Sequence, residues 1–235
     1  MADNVVSFDK NAKKEKVNTS EKIDSFVTKN RKPILITGLV IVIAAAAVCI
    51  AVAVTDSIKV KNISAIDAIE YSLTKDSSDL DDSAVAARLN DALTAVTPYL
   101  AKGGVAGVRA NMLAADVCFQ KKDYENSRTY WLAAAEKGKK VYTESICWYN
   151  AAVCSEELND NANAVAYYEK ASEGEEFLLV THCLFSIGRV KEALNDAEGA
   201  VTAYQKLVEK YPSDQWTNLA QSRILALKAE GKVSE

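Results

Sequence analysis

One stretch of this chain is written more than once. Leu158-Asn159-Asp160 and Leu194-Asn195-Asp196 lie 36 residues apart, and the same offset pairs Ala164 with Ala200, Val165 with Val201, Tyr168 with Tyr204 and Lys170 with Lys206. A third copy stands 37 residues earlier: Lys122-Asp123-Tyr124, Ser127, Trp131 and Ala134 fall where the later copies carry Asn-Asp-x, Ala, Tyr, and Ala or Leu. Upstream, small and bulky residues recur at helical spacing, as Trp148, Ala151, Ala152 and Ser155, then as Leu184, Ile187 and Gly188 one period later. A period of this length means a pair of antiparallel helices per repeat, which must stack on its neighbours because one pair cannot bury its own apolar face. Small residues let the two backbones approach, and an aromatic fills the space beside them. The 235 residues include 9 Gly and 3 Pro against 36 Ala, too few turn-formers for a sandwich or barrel and far too few for a collagen-like chain.

The apolar period and its breaks at Lys102-Gly103-Gly104, Gly138, Gly174 and Pro212 predict helices near 63–75, 83–100, 105–120, 124–137, 141–157, 161–173, 177–194, 197–210 and 214–229. Pro98 should kink or end the second of these and displace Thr97 from helical angles. The pattern resembles the tetratricopeptide repeat (TPR) family, on Trp148 with Ala152, on Gly188, on Ala164 and Ala200, on the aromatics Trp131, Tyr168 and Tyr204, and on Pro212. The resemblance implies an all-α solenoid of helical hairpins: three units over 105–212, a capping helix and tail over 213–235, and leading helices or a degenerate repeat over 63–104. With the single apolar segment described next, the layout looks like bacterial cell-envelope TPR proteins, among them the anchored ancillary subunits of Sec translocons. The run Tyr204 to Pro212 also looks like TPR units of outer-membrane assembly and division-coordinating proteins. As a class such domains bind proteins or peptides, so the resemblance implies interaction rather than chemistry.

Residues 33–54 carry no charge over 22 positions. At about 1.5 Å per residue a helix of that length reaches ~33 Å, enough for a bilayer core of about 30 Å. A transmembrane helix is therefore expected. Ala51, Val52 and Ala53 form an A-x-A-like cleavage site, but the long polar lead and the length of the apolar run fit an uncleaved signal anchor better. Residues 1–32 hold eight Lys and Arg against five Asp and Glu, net +3, and are expected to be a largely disordered basic tail with a helical stretch from Ser20. Residues 55–235 are net −7. The positive-inside rule places the N-terminus in the cytoplasm and residues 55–235, with a linker over 55–62, across the membrane; the resemblance to bacterial envelope proteins implies that the membrane is the inner one and the repeats are periplasmic. An acidic exterior domain argues against a nucleic-acid partner.

No cofactor, metal or catalytic group is expected. The five cysteines, Cys49, Cys118, Cys147, Cys154 and Cys183, show no C-x-x-C pair or zinc spacing. Four fall on first helices of the repeats as buried small hydrophobes, with at most one bridge, because stacked helices lie about 8–10 Å apart and a disulfide needs Cα atoms within about 7 Å. His182 is the only histidine, so neither a metal site nor a Ser-His-Asp triad has support. Asp79 to Asp82 and Glu173 to Glu176 do not match a calcium loop; Asp81 or Ser83 suits a helix N-cap and the glutamates a solvated turn. A TPR-supported hydrolase would need a nucleophile, a base and a pocket that the sequence does not present.

A binding surface is a better-defined expectation. One step around the first helices from the core stripe lie Met112, Asp116 and Phe119, then Tyr149, Val153 and Glu156, then Phe185, Arg189 and Glu192, with Arg109 and His182 near the edge. Stacking aligns these stripes on one concave wall, where aromatics flanked by charges suit an extended peptide. Tyr149, Phe185 and Phe119 equally suit packing between units. The expected role is a scaffold or chaperone-like adaptor for envelope or translocating polypeptides, at the export machinery among other places. The alternative is an architectural subunit of an envelope or division complex that uses another face. Oligomeric state is left open.

Overall fold

The computed structural model describes residues 19–76, 80–139, 142–174 and 176–234. Among these there are ten α-helices and no strand: α1 (Thr19–Lys29), α2 (Arg31–Thr74), α3 (Asp82–Val96), α4 (Gly104–Gln120), α5 (Tyr124–Lys137), α6 (Tyr142–Glu157), α7 (Asn161–Ser172), α8 (Val180–Ala193), α9 (Ala197–Lys210) and α10 (Gln215–Ala229). Residues 1–57 and 58–235 form separate compact units.

In the first unit, α1 covers the end of the expected disordered tail; residues 1–18 lie outside the described residues. The apolar part of α2 is exposed throughout, and α2 is the one described helix long and apolar enough to cross a membrane. The linker expected at 55–62 is helical instead. No Gly or Pro stands between Gly38 and Pro98, so nothing local interrupts the backbone hydrogen bonds there.

In the second unit, α4 to α10 pack each on the next. The end of α2 joins α3 and α4 through Ile66, Leu89, Val96, Leu113 and Val117. Ala115, Trp131, Ala134, Cys147 and Ala151 form the next cluster, and Ala152, Tyr168, Leu184, Tyr204, Leu207 and Leu227 the last. Ala114, Ala115, Ala134, Ala135, Ala151, Ala152, Ala164, Ala171 and Ala200 are all fully buried, which lets the helices close in. Pro98 does end α3, at Val96, but Thr97 keeps right-handed helical angles (φ −49°, ψ −44°). The chain tightens into a 3₁₀ turn over Thr97–Tyr99, closed by the Leu100 N–H on the Thr97 carbonyl, and Pro98 sits at the start of that turn, where its missing N–H costs nothing. Helix α8 starts at Val180 rather than 177.

The two helices of each repeat are joined by one recurring turn. Lys122, Asn159 and Asn195 take left-handed angles (φ 59°, 57° and 60°). The next residue closes a six-residue loop onto the helix just ended, Asp123 N–H to Cys118 O (2.9 Å), Asp160 to Ser155 (2.8 Å) and Asp196 to Lys191 (2.9 Å), a Schellman end. The same three aspartates then cap α5, α7 and α9 through their side chains. Asp81 caps α3 in the same way.

Candidate functional site

The expected groove residues are carried by α4 (Arg109, Met112, Asp116, Phe119), α6 (Tyr149, Val153, Glu156) and α8 (His182, Phe185, Arg189). Spacings of three, four and seven put each set on one helix face. On α6 and α8 the face is an aromatic row. Tyr149 Oη lies 3.1 Å from His182 Nδ1. His182 packs edge-on to Trp216 at 4.5 Å between ring centroids, and Trp216 lies 5.0 Å from Phe185. Phe185 continues to Tyr204 and Tyr149 to Tyr168, while Phe177 closes the other edge of Tyr149. Tyr149, Val153, His182, Phe185 and Trp216 are half-buried: packed on one side, open on the other. Burial, then the nearby Arg189, lowers the His182 pKa, so the imidazole is neutral at pH 7. Burial first of all raises the Tyr149 pKa, so that hydroxyl stays protonated.

The charged members behave differently, because they are bonded to one another. Glu156 accepts from Tyr168 Oη (2.6 Å), Arg189 Nη2 (2.8 Å) and Arg189 Nη1 (2.7 Å). One repeat later Glu192 accepts from Tyr204 Oη (2.7 Å), from Arg223 Nε (3.1 Å) and from Arg223 Nη2. Each glutamate therefore ties the second helix of its own unit to the first helix of the next. In the first unit Phe119 and Trp131 replace the Glu and Tyr of this set, and Phe119 packs on Tyr124 at 5.3 Å instead. Arg109 turns toward α2, pairing with Asp67 (2.5 Å) and Glu70 (3.1 Å). Met112 packs against the Trp131 cluster. Asp116 reaches solvent, but the surrounding wall strips away part of its hydration, and with Glu70 nearby its pKa rises to about 6.

Tyr149, His182 and Phe185 are thus brought together, Glu156 and Arg189 form a joint, and Arg109 lies apart from both. Trp216, Phe177 and Arg223 belong to the same surface, and the sequence reading missed them. A signal existed for two of them: Trp216 and Arg223 follow His182 and Arg189 by 34 residues, so the period shortens at α10 and a fixed offset of 36 passes over them. Phe177, in the turn before α8, lies outside the helical stripes from which the wall was read. Cys118, Cys147, Cys154 and Cys183 are buried free thiols, and burial pushes Cys147 and Cys183 up to about 12. Among the described residues no group of His, Cys, Asp and Glu converges to hold a metal ion.

Three models of the tetratricopeptide repeat match the chain, at residues 82–141, 145–173 and 182–214. A TPR repeat-containing protein of Treponema pallidum (strain Nichols) is 31% identical over 130 residues, covering 55% of this chain and 54% of that protein, so the match spans about half the relative's length. Among solved structures, the TPR-like repeats attributed to a kinesin light chain of Podospora anserina superpose with a TM-score of 0.53 at 10% identity, over 73% of this chain and 87% of theirs. A Rap protein in complex with competence and sporulation factor gives a TM-score of 0.44 at 18% identity, over 64% of this chain and 48% of that one.

Proposed function

Because the chain belongs to the tetratricopeptide-repeat family, we propose that residues 58–235 are a protein-interaction adaptor held at a membrane by the apolar part of α2. The observation that supports binding is the half-buried row Tyr149, His182, Phe185 and Trp216, which runs from unit to unit with one side open. Aromatic rings with a polar edge give an extended polypeptide large apolar contacts at low entropic cost, with orientation from the polar groups. The proposed partner is an envelope or translocating polypeptide, with the export machinery as one setting. The charge asymmetry about the apolar segment supports a cytoplasmic N-terminus in an inner membrane and periplasmic repeats. Protease added outside spheroplasts then degrades the repeats, and protection of them would overturn that orientation.

A photo-crosslinking residue placed at Met112, Asp116 or Val153 tests the groove against the same group at Glu169, Thr202 or Gln205 on the second helices. Capture from the first set supports the groove. Capture confined to the second set overturns it in favour of an architectural subunit, the reading favoured by one observation: Arg109, Glu156 and Arg189 are already engaged in ion pairs between helices.

A further inference from the structure

Helix α1 has an apolar face for which the fold of its own unit supplies no cover. At about 100° per residue, Ile23, Phe26 and Val27 share one side of the helix, and they are 57%, 63% and 46% exposed. Lys22 and Lys29, two turns apart, line one edge of that face, Asp24 flanks the other edge, and Glu21 lies on the opposite side. Segregation of this kind marks a helix that lies in a membrane interface, with its apolar side toward the acyl boundary and its cations toward headgroups.

The connection to α2 fixes where α1 can be. Only Asn30 separates the two helices, and its N–H bonds Phe26 O at 2.9 Å while its carbonyl accepts from Ile34 N–H at 3.0 Å. Phe26 shares a shallow apolar crease with Asn30, Pro33, Ile34, Thr37, Gly38 and Ile41. Pro33 has no N–H to give the Lys29 carbonyl, so one of the bonds that hold α1 on the axis of α2 is missing and the joint is weakened there. Arg31 and Lys32 add two cations at the level where an apolar span would leave the hydrocarbon.

We infer that α1 is an interfacial lipid-binding helix that docks on the anionic bilayer surface at the N-terminal side of the span, with Ile23, Phe26 and Val27 inserted and Lys22, Lys29, Arg31 and Lys32 on headgroup phosphates. This rests on the reading of α2 as a membrane anchor. Each lysine strengthens the docking by roughly fivefold on an anionic surface, and the docking sets the tilt and depth at which the span emerges.

The test uses the full chain with Cys49→Ala, reconstituted in vesicles of phosphatidylcholine with or without phosphatidylglycerol. An environment-sensitive fluorophore is attached at Ile23→Cys, Phe26→Cys, Glu21→Cys or, as a control in the span, Leu39→Cys. The buried native thiols stay protonated and shielded under native conditions. The expected result is strong quenching by lipid-borne quenchers at 23 and 26 and weak quenching at 21, with charge reversal at Lys22 and Lys29 reducing the former only in anionic vesicles. Equal quenching on both faces, with Leu39 quenched, overturns the inference and leaves the anchor standing. An unquenched Leu39 overturns both. Protection at 23 and 26 that rises with protein density and not with anionic lipid overturns it in favour of a second copy of this chain on that face.

Discussion

At the residue scale Gly188 is a constraint set by a neighbouring ring. A Cβ there would stand 2.4–2.7 Å from the Tyr204 ring. The ring cannot swing aside, because it is fully buried and its hydroxyl is held by Glu192 at 2.7 Å. Alanine occupies the equivalent positions 115 and 152, so the demand comes from the spacing of this one helix pair and not from the position in the repeat. Gly188→Ala should lower stability by about 1–3 kcal/mol in urea unfolding, even though alanine is the better helix former by ~1 kcal/mol. Asp116 makes a second residue-scale prediction. Its carboxyl titrates at about 6 in the fold against 3.8 unfolded. Between those values the folded chain holds the extra proton, so this group's contribution to stability falls as pH rises from about 4 to 6 and is level above. Asp160, Asp196 and Glu192 have lowered pKa values and act in the opposite sense, so the effect is read as a difference. Asp116→Asn should be more stable than the parent at pH 7 by an amount that vanishes near pH 4, about 1 kcal/mol at most once solvent screening is allowed for.

At the scale of the element, the turn between paired helices shows what the sequence made legible and what it did not. The Asn-Asp pairs at 159–160 and 195–196 suit both the left-handed residue and the cap, because Asn tolerates positive φ and Asp accepts from the next helix's amides. Lys122 fills the same left-handed place with a less suitable residue. Lys122→Asn should therefore stabilise the fold by about 0.5–1 kcal/mol and raise the unfolding midpoint, and Asn159→Lys should destabilise it by a similar amount; thermal melts of the two variants check the pair. The sequence was weaker on the groove. Register placed Tyr149, Phe185, Glu156 and Arg189 on one face, but register does not distinguish a surface awaiting a partner from a joint between units. Which it is depends on the residue that arrives from the next helix, and for Glu156 that is Arg189 itself. The pairing of Arg109 was not legible for a related reason, since its partners Asp67 and Glu70 belong to α2, outside the period that located the other residues.

At the scale of the whole molecule, residues 58–235 are held together by nearest-neighbour joints, and such stacks open locally from the weakest joint. Glu192 and Arg223 form the last of them, tying α8 to α10, with the Glu192 side chain only 16% exposed. Arg223→Met would leave that carboxylate with the Tyr204 hydroxyl but without its cation, at a cost of about 1–2 kcal/mol. If coupling passes only between adjacent units, hydrogen exchange should accelerate most in α8, α9 and α10, less in α6 and α7, and hardly at all in α4 and α5. A single cooperative core would instead speed exchange evenly along the repeats. The graded outcome also bears on binding, because the aromatic row crosses the α8–α10 joint between Phe185 and Trp216. A polypeptide lying along the row would bridge that joint and restore protection in α8 to α10 of the Arg223→Met protein, giving a readout of occupancy that does not depend on knowing which residues of the partner make the contact.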